Sequence, residues 1–392
     1  MNRTSGDIDA TQPSTGKTPP QHVCIALPAR GGDYDEMGRI LAQVVREVGA
    51  EARIVRDGDG AALDCDALIL FGKCSAFTRS ARLLAACSAR RPATILWHIE
   101  PLLPEAIPQV AERTCRVLAR CDWSILPKPL SKVITQIPGS GLLRDAARTM
   151  LSDRLKHLSG WDDRPPYTRV HSRQWFHAAQ HHAWLREHHS DCWCDLVAVS
   201  TMPRYHVLRQ MGIRCTYAPV GYHPAWGCDL GLNRDVDVLF LGRVKRTSRQ
   251  AVLSHARRQL QQHGIRLTVV DRNCFGQDRT ELLSRTRIVL DVIQNAWEMP
   301  VVRPLTSMAC GALVVSNWMS DPSPFGPEHL VRVESHLLAD AVLHYLQAEP
   351  ERRRIAQAAR QYVTKELTWH KTVSRLLQGC RAEAATTKGV MV

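Results

Sequence analysis

Short apolar, β-branched runs alternate with longer segments of helical period along most of this chain. The run His22–Pro28 (HVCIALP) is followed by a Gly-Gly turn and a helical segment at about 35–48. The alternation recurs with Val236–Leu241 (VDVLFL) and a helical segment at about 247–263. Strands joined by helices pair in parallel, with helices covering both faces of the sheet. The alternation therefore predicts an α/β protein with two doubly wound, Rossmann-like domains.

The domain plan follows from length and from breaks in the alternation. A chain of 392 residues suits two domains better than one core. The region predicted as the interdomain linker holds Pro and Gly without apolar period. We predict the following segments: a disordered start at 1–20, a first domain at 21–220 with a helical insertion near 139–191, the linker at 221–235, a second domain at 236–380, and a tail at 381–392.

The composition indicates a soluble globular protein, with 44% hydrophobic and 23% charged residues. No stretch approaches the ~18 uninterrupted apolar residues of a membrane span, and the N-terminus lacks the apolar core of a secretory signal. The 13 cysteines are odd in number and lie largely in apolar runs, which favours reduced core thiols. The expected location is the cytoplasm, and peripheral attachment to the inner face of the membrane is left open.

The formal net charge of +13 at pH 7 indicates an anionic partner. Nucleic acid, an anionic membrane surface and a nucleotide diphosphate all carry the matching charge. The positive charge is mostly arginine spread along the chain, and no Lys/Arg block with interleaved aromatic residues marks a nucleic-acid arm. Nucleic acid is therefore not expected as a partner, while contact with an anionic membrane stays open.

The segment 295–316 carries the strongest signal for a binding site. Its stretch Arg303–Ala312 (RPLTSMACGA) predicts a loop, a short helix, a glycine stop and a buried strand. In parallel sheets, ligands bind beyond the carboxyl ends of the strands, and the start of a helix there offers amides to a phosphate. By itself the pattern also fits a plain helix-to-strand connection that ends in glycine.

This stretch resembles the nucleotide-sugar site of family 4-like GT-B glycosyltransferases, in the branch whose C-terminal domain reads R-x-x-E-x-x-A-C-G-A. The family pattern places two glutamates eight positions apart; this sequence keeps Glu298 and has Thr306 at the second position. The resemblance implies that Glu298 contacts the sugar and that Arg303, Thr306 and Ser307 lie at the nucleotide. A neutral Thr306 gives the ribose weaker recognition than a carboxylate does.

The same resemblance implies further donor contacts and the overall shape. A basic turn after the strand Val236–Leu241 places Arg243 and Lys245 at the diphosphate, although a solvated basic turn would look the same. Gly31 and Gly32, after the first strand, would contact the donor phosphate from the other side of the cleft. The implied fold is GT-B, two Rossmann-like domains facing a cleft, with a terminal helix that crosses back to the first domain.

His98 ends the predicted strand 94–98, at a place where family members often contact the transferred sugar; an isolated histidine is as often structural. An inverting reaction needs a general base, and Asp33, Asp35, His98 and Glu100 are the candidates. A retaining reaction needs none, because the leaving phosphate can take the acceptor's proton. The resemblance favours retention, and we assign catalytic roles to His98, Glu298 and Asp33.

Two sets of residues suggest a metal site. Histidines between His177 and His189 precede Cys192 and Cys194, but their spacing fits no standard zinc pattern, which favours a His-rich helix on the acceptor side. Three Asp-x-Asp pairs, starting at Asp57, Asp64 and Asp235, lack the context of a metal-dependent transferase and are interpreted as solvated turn residues. No metal and no cofactor are therefore expected.

The working hypothesis is metal-independent transfer of a sugar from a nucleotide-diphosphate sugar, which is a substrate rather than a cofactor. The acceptor is a glycan, a lipid-linked molecule, a peptide or a small molecule. Two alternatives stay open. One is a GT-B-shaped binding or assembly subunit without catalysis, suggested by Thr306. The other is a basic protein that binds nucleic acid or a membrane surface, for which binding should fall steeply with salt.

Overall fold

The computed structural model describes residues 20–29, 33–87, 91–106, 172–190, 193–244, 247–271, 274–293 and 297–389. Several predictions fall outside these ranges. They concern the N-terminal segment before residue 20, the strand expected near 123–126, most of the insertion near 139–191, and the site residues Gly31, Gly32 and Lys245.

The first sheet, within the described residues, has six parallel strands in the order β2-β1-β3-β4-β5-β6. Side chains of β1 alternate between two apolar cores: Val23 and Ile25 lie in one, Cys24 and Ala26 in the other. This alternation means that both faces are covered, as in a doubly wound domain. The elements are β1 His22–Leu27, α1 Asp33–Glu47, β2 Glu51–Arg56, β3 Ala67–Gly72, α2 Thr78–Ala86, β4 Ala93–His98, α3 Ser172–Ser190, β5 Leu196–Val199, α4 Met202–Gln210 and β6 Cys215–Tyr217.

The second sheet, counted over the same described ranges, has five parallel strands in the order β11-β10-β9-β7-β8. Its helices also lie on both faces, and the predicted α/β class with two Rossmann-like domains is confirmed. The elements are β7 Val236–Leu241, α5 Thr247–Gln262, β8 Leu267–Val270, α6 Gly276–Ser284, β9 Thr286–Asp291, α7 Val302–Ala309, β10 Leu313–Asn317, β11 Val331–Val333, α8 Leu338–Gln347, α9 Glu349–Lys365 and α10 Trp369–Gly389.

The last helix, α10, is longer than the sequence suggests and packs against the first sheet. It was expected to end near residue 378, before a tail, but it continues to Gly389. Its first residue, Trp369, is fully buried between domains. The Trp369 ring lies 6.1 Å from the Phe71 ring and 6.2 Å from the Trp97 ring, both on strands of the first sheet. The terminal helix therefore crosses back and completes the core of the first domain.

The chain crosses between the domains at two adjacent places, near Tyr222 and near Thr368. The Tyr222 amide donates to the Leu367 carbonyl at 2.7 Å, and the Trp369 amide donates to the Tyr222 carbonyl at 3.0 Å. At Gly221, a Cβ would lie 2.4 Å from the backbone carbon of Thr368. Since this neighbour is backbone and cannot rotate away, only glycine lets the two crossings lie side by side.

Gly221→Ala is expected to lower the free energy of unfolding by about 1–3 kcal/mol, because the added methyl group forces the two crossings apart. Chemical denaturation measures this change. Gly379→Ala is the matched control: it lies in α10 with no atom within 4 Å of the added Cβ, so stability should hold or rise. Equal behaviour of the two variants would contradict this account of Gly221.

None of the described helices combines the length and the apolar character that a membrane span requires.

Candidate active site

The carboxyl ends of the two sheets face each other across the domain boundary. Glu298 follows β9 of the second sheet, and Arg204 lies in the first turn of α4, directly after β5 of the first sheet. These two side chains form an ion pair, although 94 residues separate them along the chain. Because ligands of parallel sheets bind at this edge of the strands, the meeting point is the candidate active site.

Glu298 is buried and fully oriented by residues of the first domain. Its Oε2 accepts from the Arg204 Nε at 2.9 Å and from the Thr201 hydroxyl at 2.7 Å, and its Oε1 accepts from the Arg204 Nη2 at 3.0 Å. The Arg204 Nη1 donates to the Ser200 hydroxyl at 2.9 Å. The side chains of Arg204 and Glu298 are only 5% and 3% exposed. The carboxylate therefore has a fixed position inside the cleft.

Arg204, Thr201 and Ser200 are site residues that the sequence did not reveal. Ser200 and Thr201 directly follow the apolar strand β5. His98 was selected by a similar signal, its position at the end of the apolar strand β4. That signal could have identified them. Nothing in the sequence, however, indicates which carboxylate Arg204 would meet, since its partner lies in the other domain.

His98, the last residue of β4, is fully buried. Its Nδ1 accepts from the Cys74 amide at 3.1 Å, and its Nε2 has no hydrogen-bond partner among the described residues. The pKa of His98 lies well below its usual value because of burial, followed by the nearby charges of His181 and Arg204. The ring is therefore neutral at pH 7, with its hydrogen on Nε2, and acts as a hydrogen-bond donor rather than a base.

Two further histidines on α3 pack behind His98. The His181 ring lies 5.1 Å from the His98 ring, and its Nδ1 is 3.3 Å from the Pro101 carbonyl. The His182 Nε2 is 3.2 Å from the Leu103 carbonyl, and burial lowers the pKa of His182 to about 3. Each contacts the main chain rather than a shared centre, so the described part of the His-rich segment is a buried helix.

The turn after β7, where the diphosphate was expected, is built around Gly242 and Arg303. Gly242 has a φ of 143°, and a Cβ there would lie 2.7 Å from the Arg303 Nη2. The Arg303 guanidinium lies 5.2 Å from the centre of the Phe240 ring and forms an ion pair with the fully buried Asp291. Arg303 thus supports the turn, and its side chain is 18% exposed. Arg243, on the same turn, is exposed.

Thr306 and Ser307 were expected at the nucleotide, but the structure buries both. The Thr306 hydroxyl donates to the Arg303 carbonyl at 3.0 Å, and the Ser307 hydroxyl donates to the same carbonyl at 2.8 Å. Their relative exposures are 2% and 0%. Both hydroxyls therefore bond within α7, and their contact with a nucleotide stays a prediction.

The remaining candidates for a general base have other partners. Asp35 pairs with Arg56 at 2.7 Å, and Glu100 accepts a hydrogen bond from the Tyr34 hydroxyl. Asp33 begins α1, and its side chain lies outside the described part of the structure. Asp35 and Glu100 therefore both have partners within the protein.

The Asp-x-Asp pairs are not all solvated turns, as had been expected. Asp57 is 8% exposed, and its Oδ1 accepts from both the amide and the hydroxyl of Ser80, at 2.9 and 2.8 Å. It anchors the start of α2 instead of lying free. Asp235 and Asp237 do lie at the surface, where they pair with Arg285 and Arg287.

Among the described residues, Glu47, His223 and His370 are close enough to share a metal ion, with ligand atoms within 4.8 Å of one another. The Glu47 Oε2 lies 2.9 Å from the His223 Nε2 and 2.6 Å from the His370 Nε2. The His223 Nδ1, however, accepts from the Ala225 amide at 3.1 Å. Neutral His223 therefore carries its hydrogen on Nε2 and donates it to Glu47, which fits a hydrogen-bonded cluster better than a metal site.

Comparisons with known proteins identify the second domain and the fold. Residues 243–378 match the family model described as glycosyl transferase-like. The sucrose-phosphate synthase tll1590 of Thermosynechococcus elongatus matches with a TM-score of 0.54 and 12% identity, over 93% of this chain and 100% of that one. Anabaena Alr3699/HepE, solved with UDP-glucose, matches with a TM-score of 0.50 and 10% identity, over 93% and 99%.

TarM matches with a TM-score of 0.41 and 11% identity. The match covers 50% of this chain and 45% of the TarM chain. No curated protein matches the sequence. At such identities, the likeness to solved structures establishes the fold, which for the sucrose-phosphate synthase and Alr3699/HepE extends over nearly the whole chain.

Proposed function

We propose that this GT-B protein, whose residues 243–378 form a glycosyltransferase-like domain, transfers a sugar from a nucleotide-diphosphate sugar to an acceptor. The observation that carries the proposal is the meeting of the two sheet edges at the Arg204–Glu298 pair. Glu298 was assigned to the sugar from the sequence, and Arg204, its partner in the first domain, also acts on the pKa of His98. The two residues assigned to the sugar thus both lie buried at the carboxyl edges of the sheets, one in each domain.

The geometry supports the following roles for the site residues in this proposal. His98 donates from Nε2 to a hydroxyl of the transferred sugar, since Nδ1 is occupied by the Cys74 amide. Glu298 accepts from another hydroxyl. Arg243, exposed on the turn after β7, offsets the charge of the departing diphosphate, with Lys245 as its predicted neighbour. In this proposal the cations perform the neutralisation without a metal.

We propose that transfer retains the anomeric configuration. An inverting reaction needs a general base, and three of the four candidates are poorly suited to that role. His98 is a neutral donor, Asp35 pairs with Arg56, and Glu100 accepts from Tyr34. In a retaining reaction the leaving phosphate takes the proton of the acceptor, and none of these side chains is required. Proton NMR of the product formed from an α-linked donor tests this directly: a β-linked product would contradict it.

The experiment that tests the proposed function is a thermal-shift screen followed by an assay for release of nucleoside diphosphate. UDP-glucose is the first donor to examine, because Alr3699/HepE was solved with it. A ligand at 100 times its Kd stabilises the folded state by about 2.7 kcal/mol, which gives a clear rise in Tm. We expect a shift with at least one nucleotide sugar, and slow release of nucleoside diphosphate with water as acceptor. No shift with any uridine, guanosine or adenosine diphosphate sugar would refute the proposal.

A binding subunit without catalysis is the second candidate function. It is favoured by Thr306, which is buried and bonded to the Arg303 carbonyl where the family pattern has a carboxylate. Such a protein would give the thermal shift but release no nucleoside diphosphate with any donor or acceptor. The two assays together therefore separate the two functions.

Arg243→Ala is expected to weaken binding of nucleoside diphosphate by about 1 kcal/mol or more, roughly five-fold, because a charge-assisted hydrogen bond to the phosphate is lost. Titration calorimetry measures the affinity. Arg257→Ala is the matched control: Arg257 is also exposed but lies ten residues into α5, about 15 Å along the helix from its start. Unchanged affinity in Arg243→Ala would remove Arg243 from the site.

A further inference from the structure

Within the described residues, two arginine–glutamate pairs with buried arginines connect the domains at the carboxyl edges of the sheets. One is Arg204–Glu298. The other joins Arg279, in the first turn of α6, to Glu36, in the first turn of α1, with both nitrogen–oxygen distances at 3.0 Å. Arg204 and Arg279 are 4% and 6% exposed. The arginine belongs to the first domain in one pair and to the second domain in the other.

The strand order places the two pairs at separate points along the cleft. Glu36 follows β1 and Arg204 follows β5, and these strands are separated by β3 and β4. Three strand spacings amount to about 14 Å. The two pairs therefore offer independent tests of domain contact, and only the Arg204–Glu298 pair includes a residue assigned to the donor sugar.

The hydrogen bonds of the Arg204–Glu298 pair occupy most of the acceptor positions of the Glu298 carboxylate. An ionised carboxylate has about four acceptor positions. Three of these in Glu298 are filled, two on Oε2 and one on Oε1. Arg204 bonds through all three of its guanidinium nitrogens, since Nη1 donates to Ser200. Counted over the described residues, one acceptor position on the Glu298 Oε1 therefore remains without a protein donor.

We propose that Arg204 and Thr201 are positioning residues, which orient the Glu298 carboxylate so that its Oε1 accepts one hydroxyl of the donor sugar. This inference rests on the proposed function. Because both positioning residues belong to the first domain, Glu298 has its working orientation only when the domains are together. Binding of the sugar moiety thereby depends on the Arg204–Glu298 contact between the domains, whereas the cations assigned to the diphosphate, Arg243 and Lys245, belong to the second domain.

The coupling follows from the chemistry of the pair. Without Arg204 and Thr201, the Glu298 side chain would rotate among several rotamers. Binding a sugar hydroxyl would then have to fix one rotamer, and the side chain would lose conformational entropy. With them, the orientation is fixed before the donor binds. The planar guanidinium matters here, because lysine has the charge but cannot contact both carboxylate oxygens and Ser200 in the same plane.

The test compares the affinities for UDP and UDP-glucose by calorimetry in Arg204→Lys and Thr201→Val. Both variants should keep their UDP affinity within about two-fold and lose about five-fold or more in affinity for UDP-glucose, the equivalent of one hydrogen bond. Thr201→Val changes little volume and removes only the 2.7 Å bond to Oε2. It therefore provides the answer if Arg204→Lys fails to fold.

Arg279→Lys is the matched control, because it alters the other interdomain pair without touching Glu298. We expect its ratio of UDP-glucose to UDP affinity to equal that of the unaltered protein. An unchanged ratio in both Arg204→Lys and Thr201→Val would overturn the inference while leaving the proposed function intact. An equal loss in Arg279→Lys would also overturn it, since general loosening of the domains would then suffice. Failure of the unaltered protein to bind any uridine, guanosine or adenosine diphosphate sugar would refute the proposed function, and this inference with it.

Discussion

Glu298→Gln is expected to lower the free energy of unfolding by about 3 kcal/mol or more. The substitution keeps the shape of the side chain but removes the charge that compensates Arg204, whose side chain is 5% exposed. A buried charge that loses its partner typically costs about 3–5 kcal/mol, far more than the net contribution of the intact pair. Urea denaturation followed by circular dichroism measures the change.

Two controls make this expectation specific. Asp235→Asn breaks an ion pair with Arg285 whose side chains are 46% and 48% exposed, and its effect on stability should be far smaller than that of Glu298→Gln. The double variant Arg204→Met with Glu298→Met removes both charges and should recover most of the loss, because no unpaired charge stays buried. If Glu298→Gln cost no more than Asp235→Asn, the pair would not be buried in solution.

His98→Phe is expected to reduce the transfer rate by about 100-fold, the typical effect of removing one hydrogen-bond donor from an active site. Phenylalanine fills the fully buried position at the end of β4 but has no Nε2 hydrogen to donate. His98→Gln retains a donor and an acceptor for the Cys74 amide, so it should lose less. Initial rates at saturating donor give the comparison.

The control for His98 is another buried histidine on the same side of the sheet. His182 is also fully buried, and burial lowers its pKa to about 3, but its Nε2 contacts the Leu103 carbonyl. His182→Gln should therefore leave the rate within about two-fold, since it removes no donor aimed at the sugar. A His98→Phe variant with an unchanged rate would assign His98 to the core alone.

Local patterns in the sequence were sufficient to predict most of the fold. The strand β7 has the predicted bounds Val236–Leu241, because an apolar run of β-branched residues depends only on near neighbours. The helices α2 and α4 were missed. Both are nine residues long and mix polar with apolar side chains, so their periodicity is weak and packing on the sheet determines them.

The orientation of functional side chains was harder to predict from the sequence than the fold. The sequence predicted Thr306 and Ser307 at the nucleotide, since they follow the loop of a family-like motif. In the structure both hydroxyls donate to the Arg303 carbonyl, because a hydroxyl near a helix start can bond the carbonyl three or four residues earlier, and their contact with a nucleotide stays a prediction. Arg303 itself bonds to Asp291, a partner that the motif does not indicate.

The sequence by itself determined the two-domain α/β plan, the position of Glu298 in a family-like segment, and the position of His98 at a strand end. Each of these depends on local periodicity or on a short motif. Only the tertiary structure decided that Glu298 meets Arg204 and Thr201, and that Trp369 of the returning helix α10 packs against Phe71 and Trp97. Those contacts join residues from different domains, and their formation depends on the surfaces that the folded domains present to each other, which no local pattern encodes.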